Sequence, residues 1–328
     1  MNSVPRTGGV EKEIIPKIMK IKSQYILLLM ITFSFNFLHA QKNNPQITKL
    51  CGPYLGQKSP GLIPVKFAPG IITTASNEAY PSFADNGNEF YFQCRDKGGW
   101  LFTKLNNAHW TELMIIPYSQ EYRFGEANVT IDGNALLFCS SYSSKGTGRS
   151  NNLNLWIMKK KDGKWRTPEI FGTEINSEMH EAFPTLSASG DLYFFRELKN
   201  ERGCEIFVSK FINGKFSTAN NLGPLVNSDK HDCDPWIAPD GSCIIFCSKD
   251  RKEGLGKNDL FISFLTKDGN WSRSVHMGKV INSEAEEITP HITPDGKYLF
   301  FSSNREGNYD IYWVDARIIE KIKKDILK

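Results

Sequence analysis

Apolar and polar residues repeat along this chain with a period of about 50 residues. Five copies of one segment each begin with an acidic residue, and these acids are 48, 55, 51 and 55 residues apart. The copies are EAYPSFADNGNEFYFQC (78–94), EANVTIDGNALLFCS (126–140), EAFPTLSASGDLYFF (181–195), DCDPWIAPDGSCIIFCS (232–248) and EITPHITPDGKYLFFSS (287–303). A fixed period of this length is typical of repeat architectures.

Each copy predicts the first two strands of a four-stranded sheet. A turn of Asn-Gly, Asp-Gly or Ser-Gly, residues that tolerate positive φ, separates a short first strand from an apolar second one. The second run does not alternate, which is typical of a strand covered on both faces. A third apolar strand follows, and a further turn leads to an aromatic residue that opens a predicted fourth strand: Trp110, Trp165, Phe216 and Trp271. Four short strands in each period predict one blade of a β-propeller.

Proline occurs three residues after the acid in four copies, at Pro81, Pro184, Pro235 and Pro290. Because proline cannot donate to a β-ladder, this first strand is predicted to be an edge strand. The innermost strand of a propeller blade is such an edge and faces the central channel. A sandwich or a jelly roll explains neither the period nor these prolines.

The two ends of the repeat region are predicted to close the propeller. Each fourth-strand aromatic precedes the next acid by 16 residues, whereas the last copy runs only to its third strand. Sixteen residues before Glu78 lies Leu62, in a strand-like segment. Residues 62–70 are therefore predicted to be the outer strand of the last blade, beside residues 309–314. The fold class is thus all-β, a closed five-bladed propeller, because a sixth blade would break this register.

The regions around the repeats complete a division into four parts. They are an amino-terminal extension with a secretory signal peptide (1–40), a linker (41–60), the propeller (61–315) and a short amphipathic helix (316–328). The helix is predicted from an apolar stripe with lysines opposite, formed by Ile318, Ile322 and Ile326. Docking of this stripe against the propeller is expected.

The signal peptide is predicted from an apolar stretch of 14 residues, 25–38, that follows a basic start. Fourteen residues are too few for a helix to span a bilayer, and no cysteine for lipid attachment follows them. The mature chain is expected to begin at Gln41, without a membrane span, in the periplasm or outside the cell. Both Met1 and Met19 remain open as the start of translation.

Composition and motifs argue against several functional classes. The formal net charge is +4, and the 40 basic and 36 acidic residues are interspersed, so no nucleic-acid partner is predicted. The sequence contains no GxSxG, HExxH, phosphate-loop or dinucleotide fingerprint, so it predicts no catalytic residue and no cofactor.

The cysteines and histidines give weak signals. Seven cysteines cannot all pair within one chain, and Cys94, Cys139 and Cys247 end second strands as small buried residues do. The run His231-Asp232-Cys233-Asp234 resembles a metal cluster, but alternate residues of a strand point to opposite faces. No metal site is therefore predicted there.

The candidate binding site is the ring of acids at the starts of the innermost strands: Glu78, Glu126, Glu181, Asp232 and Glu287. These starts share one face with the long connections between second and third strands (141–152 and 249–259), and we call it the long-loop face. One interpretation is that the ring binds a cation such as calcium or a basic peptide. The other is that each acid pairs with a basic residue after its own second strand: Arg95, Arg196, Lys249 and Arg305. Blade 2 lacks such a residue, which leaves Glu126 as the candidate for a free carboxylate.

The sequence resembles the TolB-like, WD-repeat-like β-propellers of bacterial envelope proteins. The resemblance rests on APDG (238–241) and TPDG (293–296) ahead of apolar strands and on NYDIYWV (308–314) behind one. It covers residues 78–314 and is weakest in the second copy, where Val129 replaces the expected proline. It implies an exported, non-catalytic propeller that binds other envelope proteins.

Two functions from different classes follow. The first is a monomeric binding module or scaffold for an envelope or extracellular protein, peptide or glycan, which binds around the channel mouth on the long-loop face. The alternative is a carbohydrate-active enzyme that uses inner-strand carboxylates as glycoside hydrolases do. Hydrolysis needs two carboxylates in different environments, whereas the five acids occupy equivalent positions.

Overall fold

The computed structural model describes residues 46–143, 149–199 and 203–326. The predicted signal peptide, its cleavage before Gln41 and the first residues of the predicted linker (41–45) lie outside the described residues.

The described residues contain 24 strands, which follow one another as five blades. After β1 (Val65–Lys66), blade 1 contains β2 (Glu78–Ala84), β3 (Glu89–Cys94), β4 (Gly99–Asn106), β5 (His109–Trp110) and β6 (Met114–Ile115). Blade 2 contains β7 (Ala127–Val129), β8 (Ala135–Tyr142), β9 (Arg149–Lys161), β10 (Lys164–Trp165) and β11 (Glu169–Ile170). Blade 3 contains β12 (Glu181–Leu186), β13 (Leu192–Glu197), β14 (Cys204–Ser209), β15 (Phe211–Ile212), β16 (Lys215–Phe216) and β17 (Asn220–Asn221). Blade 4 contains β18 (His231–Ile237), β19 (Cys243–Lys249), β20 (Asn258–Phe264) and β21 (Val275–His276), and blade 5 contains β22 (Glu287–Ile292), β23 (Tyr298–Ser303) and β24 (Asp310–Asp315).

Short helices flank the blades. Single 3₁₀ turns occur at Ile47–Lys49, Tyr54–Gly56, Asp85–Gly87 and Arg95–Lys97, and one α-helix, α1, spans Arg317–Ile326. The described residues contain no helix that is long and apolar enough to cross a membrane.

In every blade the strands pair antiparallel, with the first strand at one edge and the second beside it. The second strands form the core, as their unbroken apolar runs predict. One phenylalanine from each is completely buried: Phe90, Phe138, Phe194, Phe246 and Phe300. The predicted all-β, five-bladed propeller is confirmed.

The propeller closes as predicted, with β1 as the outer strand of blade 5. Val65 lies opposite Trp313, and Lys66 lies opposite Tyr312, both within β24. The ammonium of Lys66 is 2.7 Å from the buried carboxylate of Asp310, which fixes the register of this two-residue strand.

The residues before β1 pack against the two ends of the repeat. Ile47 and Leu55 are completely buried in a cluster shared by blades 1 and 5. The indole N–H of Trp110 donates to the carbonyl of Gly52 at 2.7 Å. Blade 1 is therefore tied to the segment that also supplies the closing strand.

The fourth strand differs from its prediction. Trp110 and Trp165 belong to a small hairpin at the end of the third strand, and the outer strand forms only four residues later. In blade 2 the hairpin turn has positive φ at Asp162 and Gly163, the geometry of a two-residue turn that folds the chain straight back. The aromatic residues therefore mark this hairpin rather than the outer edge.

A bulge interrupts the first strand of the four blades that carry the proline. The residue before each proline has a left-handed φ: 58° at Tyr80, 49° at Phe183, 51° at Asp234 and 55° at Thr289. A bulge re-aims the side chain at its position. The rings of Tyr80 and Phe183, from blades that are not neighbours, are 6.4 Å apart, so these residues meet in the central channel.

Helix α1 docks on the propeller through the predicted stripe. Ile318, Ile322 and Ile326 pack against the core of blades 4 and 5, and Ile319 is buried beside them. The predicted carboxy-terminal helix is thus confirmed.

Candidate functional site

Four of the five acids are completely enclosed. Glu78, Glu181, Asp232 and Glu287 have no solvent exposure, and each lies at or next to the first residue of its innermost strand. A buried carboxylate needs hydrogen-bond donors or cations around it. The chain supplies both in a recurring arrangement.

The first part of this arrangement is a serine or threonine four residues before the acid. Ser283 donates to Glu287 from its backbone N–H at 2.8 Å and from its hydroxyl at 2.7 Å. The other three enclosed acids accept the same pair of bonds, from Thr74 to Glu78, Ser177 to Glu181 and Ser228 to Asp232.

The second part is an asparagine directly before the serine in three blades. The Asn282 side chain accepts from the backbone N–H of Leu260 at 2.8 Å and donates to its carbonyl at 2.9 Å. Asn176 bonds Leu155 and Asn227 bonds Ile206 in the same way. Each asparagine thus joins the connection between two blades to the third strand of the preceding blade.

The third part is an arginine. Arg196 donates to Glu181 at 2.7 Å, Arg305 donates to Glu287 at 2.9 Å, and Arg251 pairs with Asp232. Each guanidinium also donates to the carbonyl two residues before the serine: Ile175, Val226 and Ile281. Each lies over an aromatic ring of the third strand, at 4.7 Å from Phe207, 4.5 Å from Phe261 and 4.8 Å from Tyr312.

We call the acid, the serine, the asparagine and the arginine of blades 3, 4 and 5 the interblade clasp. The predicted pairing of acids with basic residues therefore holds for Arg196 and Arg305. In blade 4 the partner is Arg251 rather than Lys249. In blade 1 Arg95 is exposed, and Glu78 has no basic partner among the described residues.

Blade 2 has no clasp. Ser140 comes after the buried apolar residues of the second strand, and its hydroxyl donates a hydrogen bond to the carbonyl of Tyr122. The ring of Tyr122 lies 4.4 Å from that of Tyr142 and 5.5 Å from that of Trp156. This aromatic group takes the place of the arginine, and it offers no charge to the acid of blade 2.

Glu126 consequently differs from the other four acids. It receives no hydrogen bond from a serine, threonine or arginine side chain among the described residues, whereas each of the other four accepts at least one. Its Oε2 atom, like that of Glu181, is shielded from solvent without a hydrogen-bond partner among the described residues. Burial, and then the charge of Asp234, raise the pKa of Glu126 well above its usual value, and the backbone N–H of Phe183 opposes this only weakly.

Asp234 is the second carboxylate of the channel. It is buried, and it accepts a 3.2 Å hydrogen bond from the backbone N–H of Thr289. Burial raises the pKa of Asp234 to about 6, although the Thr289 N–H and the Cys247 thiol favour its ionised form. The described residues around Glu126 and Asp234 thus provide two carboxylates without a cation.

The pH dependence of stability should report this pair. A carboxyl group whose pKa is higher in the folded state than in the unfolded state binds its proton first in the folded state. The stability that this protonation contributes is lost as the pH rises through the pKa of the folded state. Between about pH 7.5 and about pH 4, the protonation of Asp234 is expected to add about 3 kcal/mol at most to the free energy of unfolding.

Urea denaturation across this range measures the effect. The free energy of unfolding of Asp234→Asn should change less with pH than that of the parent. The variant should fold, since asparagine tolerates the left-handed backbone and still accepts a hydrogen bond from Thr289. The exposed Glu169→Gln is the control and should keep the parental slope. An unchanged slope in Asp234→Asn would contradict the assignment.

A pocket of about 510 Å³ opens on the long-loop face. Its lining includes Glu178, His180, Glu197, Cys204 and His231, and no lysine or arginine is among the described residues that form it. Cys204, which lines the pocket, is also one of the groups that raise the pKa of Glu126.

Comparison with known proteins gives a fold but no sequence family. No protein-family description matches the chain, and no curated protein sequence matches it. Similar solved structures include a TolB protein from Agrobacterium tumefaciens, with 14% identity and a TM-score of 0.46 over 74% of this chain and 78% of that one. A glycoside hydrolase is 11% identical, with a TM-score of 0.50 over 82% of this chain and 92% of that one.

What these structures share with this chain is the fold. The propeller fold that the resemblance to TolB-like proteins implies is confirmed by the five blades of this chain. The activity of the glycoside hydrolase does not transfer at 11% identity.

Sequence reasoning missed two parts of the site. Asp234 was considered only as a neighbour of Asp232, whereas the bulge at Pro235 turns it into the channel beside Glu126. The clasp was missed although its signal is visible, since Ile-Asn-Ser or Val-Asn-Ser precedes three acids at a constant distance: 175–177, 226–228 and 281–283.

Proposed function

We propose that this chain is an exported, non-catalytic binding propeller whose partner presents a positively charged group to Glu126 at the channel mouth. The observation that carries the proposal is the unequal use of five equivalent acids. Four are enclosed and accept hydrogen bonds from a serine or threonine side chain, whereas Glu126 has neither such a side-chain donor nor a basic partner among the described residues.

The pocket beside the channel supports a cationic partner. Glu178 and Glu197 are exposed carboxylates of its lining. A concave surface with charges of one sign attracts and orients an oppositely charged ligand.

The channel suits an organic cation better than calcium. Calcium takes six to eight oxygen ligands in proteins. Glu126 and Asp234 supply the carboxylates, but the Cys247 thiol that donates a hydrogen bond to Asp234 places sulfur, rather than a further oxygen ligand, beside them. An ammonium or guanidinium group needs fewer oxygen contacts and tolerates such neighbours.

Binding should be coupled to proton release. Because the pKa of free Glu126 is raised, a cation that favours the ionised carboxylate displaces a proton. The affinity for the partner is therefore expected to increase with pH. We infer that the partner is a protein or peptide of the envelope or the extracellular space.

The test is capture of partners from an envelope extract by the immobilised full chain, followed by titration of a captured partner. Glu126→Gln removes the charge but keeps the shape, and it is expected to weaken binding by about 30-fold. Glu169→Gln, an exposed acid on the outer strand of the same blade, should bind as the parent does. Equal binding by Glu126→Gln and the parent would reject the proposal.

Catalysis is the alternative that the same protein can test. A glycosidase places one carboxylate on each side of a bound sugar. Asp234 is buried and Glu126 is only partly exposed, so the geometry favours the end of a lysine or arginine side chain over a bulkier sugar ring. Hydrolysis of any glycan that is lost in Glu126→Gln or Asp234→Asn would overturn the non-catalytic proposal.

A further inference from the structure

Two cysteines from neighbouring blades meet beside the pocket. Cys204 is the first residue of β14 in blade 3, and Cys233 lies in β18 of blade 4. Their Sγ atoms are 2.8 Å apart. This separation is about 0.8 Å longer than a disulfide bond of about 2.0 Å, so a small side-chain movement would join them.

The pair is specific to one joint of the propeller. The residue after the acid, where Cys233 stands, is Ala79, Ala127, Ala182 and Ile288 in the other blades. The residues equivalent to Cys204 by strand pairing are Gly98, Leu153, Asn258 and Tyr309. Packing at this joint therefore does not require sulfur, and two cysteines coincide where blade 3 meets blade 4.

A histidine accompanies the pair. Nδ1 of His231 is 3.9 Å from Sγ of Cys204. Gly203 has a φ of +100°, and a Cβ atom there would come within 3.0 Å of the imidazole, so glycine lets the ring approach this strand. An imidazole at this position can take the thiol proton and supply the thiolate that exchange requires.

The two sulfurs differ in access. Cys204 lines the pocket together with Gly203 and His231, and Cys233 is not part of that lining. The hydrogen bond with Cys204 and burial raise the pKa of the Cys233 thiol. By residue exposure Cys233 is the more accessible of the two, so the assignment of Cys204 as the attacking sulfur rests on its place in the pocket beside His231.

We propose that Cys204 and Cys233 form a reversible disulfide that bridges blades 3 and 4. The Cys204 thiolate attacks a low-molecular-weight disulfide and releases one of its halves as a thiol, which takes up the proton lost from Cys204. Cys233 then attacks Cys204 in the mixed disulfide, and its own proton leaves with the second half. The protein loses two hydrogen atoms and two electrons, and the reagent becomes two thiols.

The test is oxidation of the folded full chain with glutathione disulfide, followed by blocking of free thiols and peptide mapping without reduction. We expect a link between the peptides that contain Cys204 and Cys233, with the other five cysteines blocked. Reduction should reverse it. The bridge should also raise the melting temperature by roughly 5–10 °C, because it closes a long loop of the unfolded chain.

Matched variants distinguish this pair from its neighbours. Cys233→Ala places the residue of three other blades at this position, so it should fold, and it should abolish both the link and the temperature shift. Cys243→Ser should retain both, although Cys243 lies in the same blade as Cys233. Full blocking of all seven cysteines after oxidation, or a link that persists in Cys233→Ala, would overturn the proposal.

Discussion

Deletion of residues 46–70 is expected to abolish cooperative folding of the propeller at ordinary temperatures. The deletion removes β1 and leaves the edge of β24 unpaired. It also removes Ile47, Leu55 and Phe67, none of which has any solvent exposure. Loss of each such side chain costs about 2–5 kcal/mol, and together they approach the whole stability of a typical domain, about 5–15 kcal/mol. Thermal unfolding followed by circular dichroism measures the effect.

A point variant isolates the closing strand. The ring of Phe67 lies within 5.8 Å of four others, those of Phe83, Phe90, Phe300 and Trp313, which belong to blades 1 and 5. Phe67→Ala should therefore lower the free energy of unfolding by about 4 kcal/mol. Ile63 is 73% exposed, so Ile63→Ala is the control and should change it little. If the deletion variant or Phe67→Ala melted at the same temperature as the parent, the amino-terminal strand would not be the element that closes the ring.

The architecture was predictable because it repeats. A strand that is ambiguous in one copy of the pattern is recognised by comparison with the other four. The tight turns and prolines then place the strands within each copy. Closure followed from counting, since the distance between outer strand and acid is constant. That distance pointed to residues 62–70, and β1 lies within them.

The partners of the acids were less predictable, because side-chain reach is not periodic. Arg196 stands opposite its acid in the strand register, whereas Arg251 and Arg305 lie beyond the position opposite theirs. A long flexible side chain can reach one carboxylate from either place. Local sequence order therefore suggested Lys249, although the guanidinium of Arg251 occupies the site.

Contacts between blades were not predictable from one blade. The approach of Cys204 to Cys233 depends on how two sheets twist past each other, and the pattern within each sheet does not encode this. The meeting of Glu126 and Asp234 depends on the left-handed residue before Pro235. Only the departure of blade 2 from the common pattern indicated where the unusual carboxylate lies.

The clasp predicts that two chemically identical substitutions will have very different costs. In Glu181→Gln the guanidinium of Arg196, whose side chain is 17% exposed, loses its anion while it remains fixed over Phe207. Removing one partner of a buried ion pair lowers the free energy of unfolding by about 3 kcal/mol or more. Glu126→Gln removes an unpaired buried carboxylate, so it should leave the free energy of unfolding unchanged or slightly higher. Urea denaturation near neutral pH measures both.

A double-mutant cycle shows whether the cost belongs to the pair. Arg196→Met keeps the apolar stem over the ring and removes the charge, so the double variant with Glu181→Gln should lose less stability than the two single variants added together. An equal loss in Glu181→Gln and Glu126→Gln would mean that the five acids are not divided between structure and binding. The division follows from the sequence of blade 2, because Tyr122 stands four residues before the acid, where the clasp has its serine, and Ser140 bonds the Tyr122 carbonyl instead of the acid. The structural assignment of Glu181 therefore rests on this comparison of stabilities, and the binding assignment of Glu126 rests on the capture and titration of a partner.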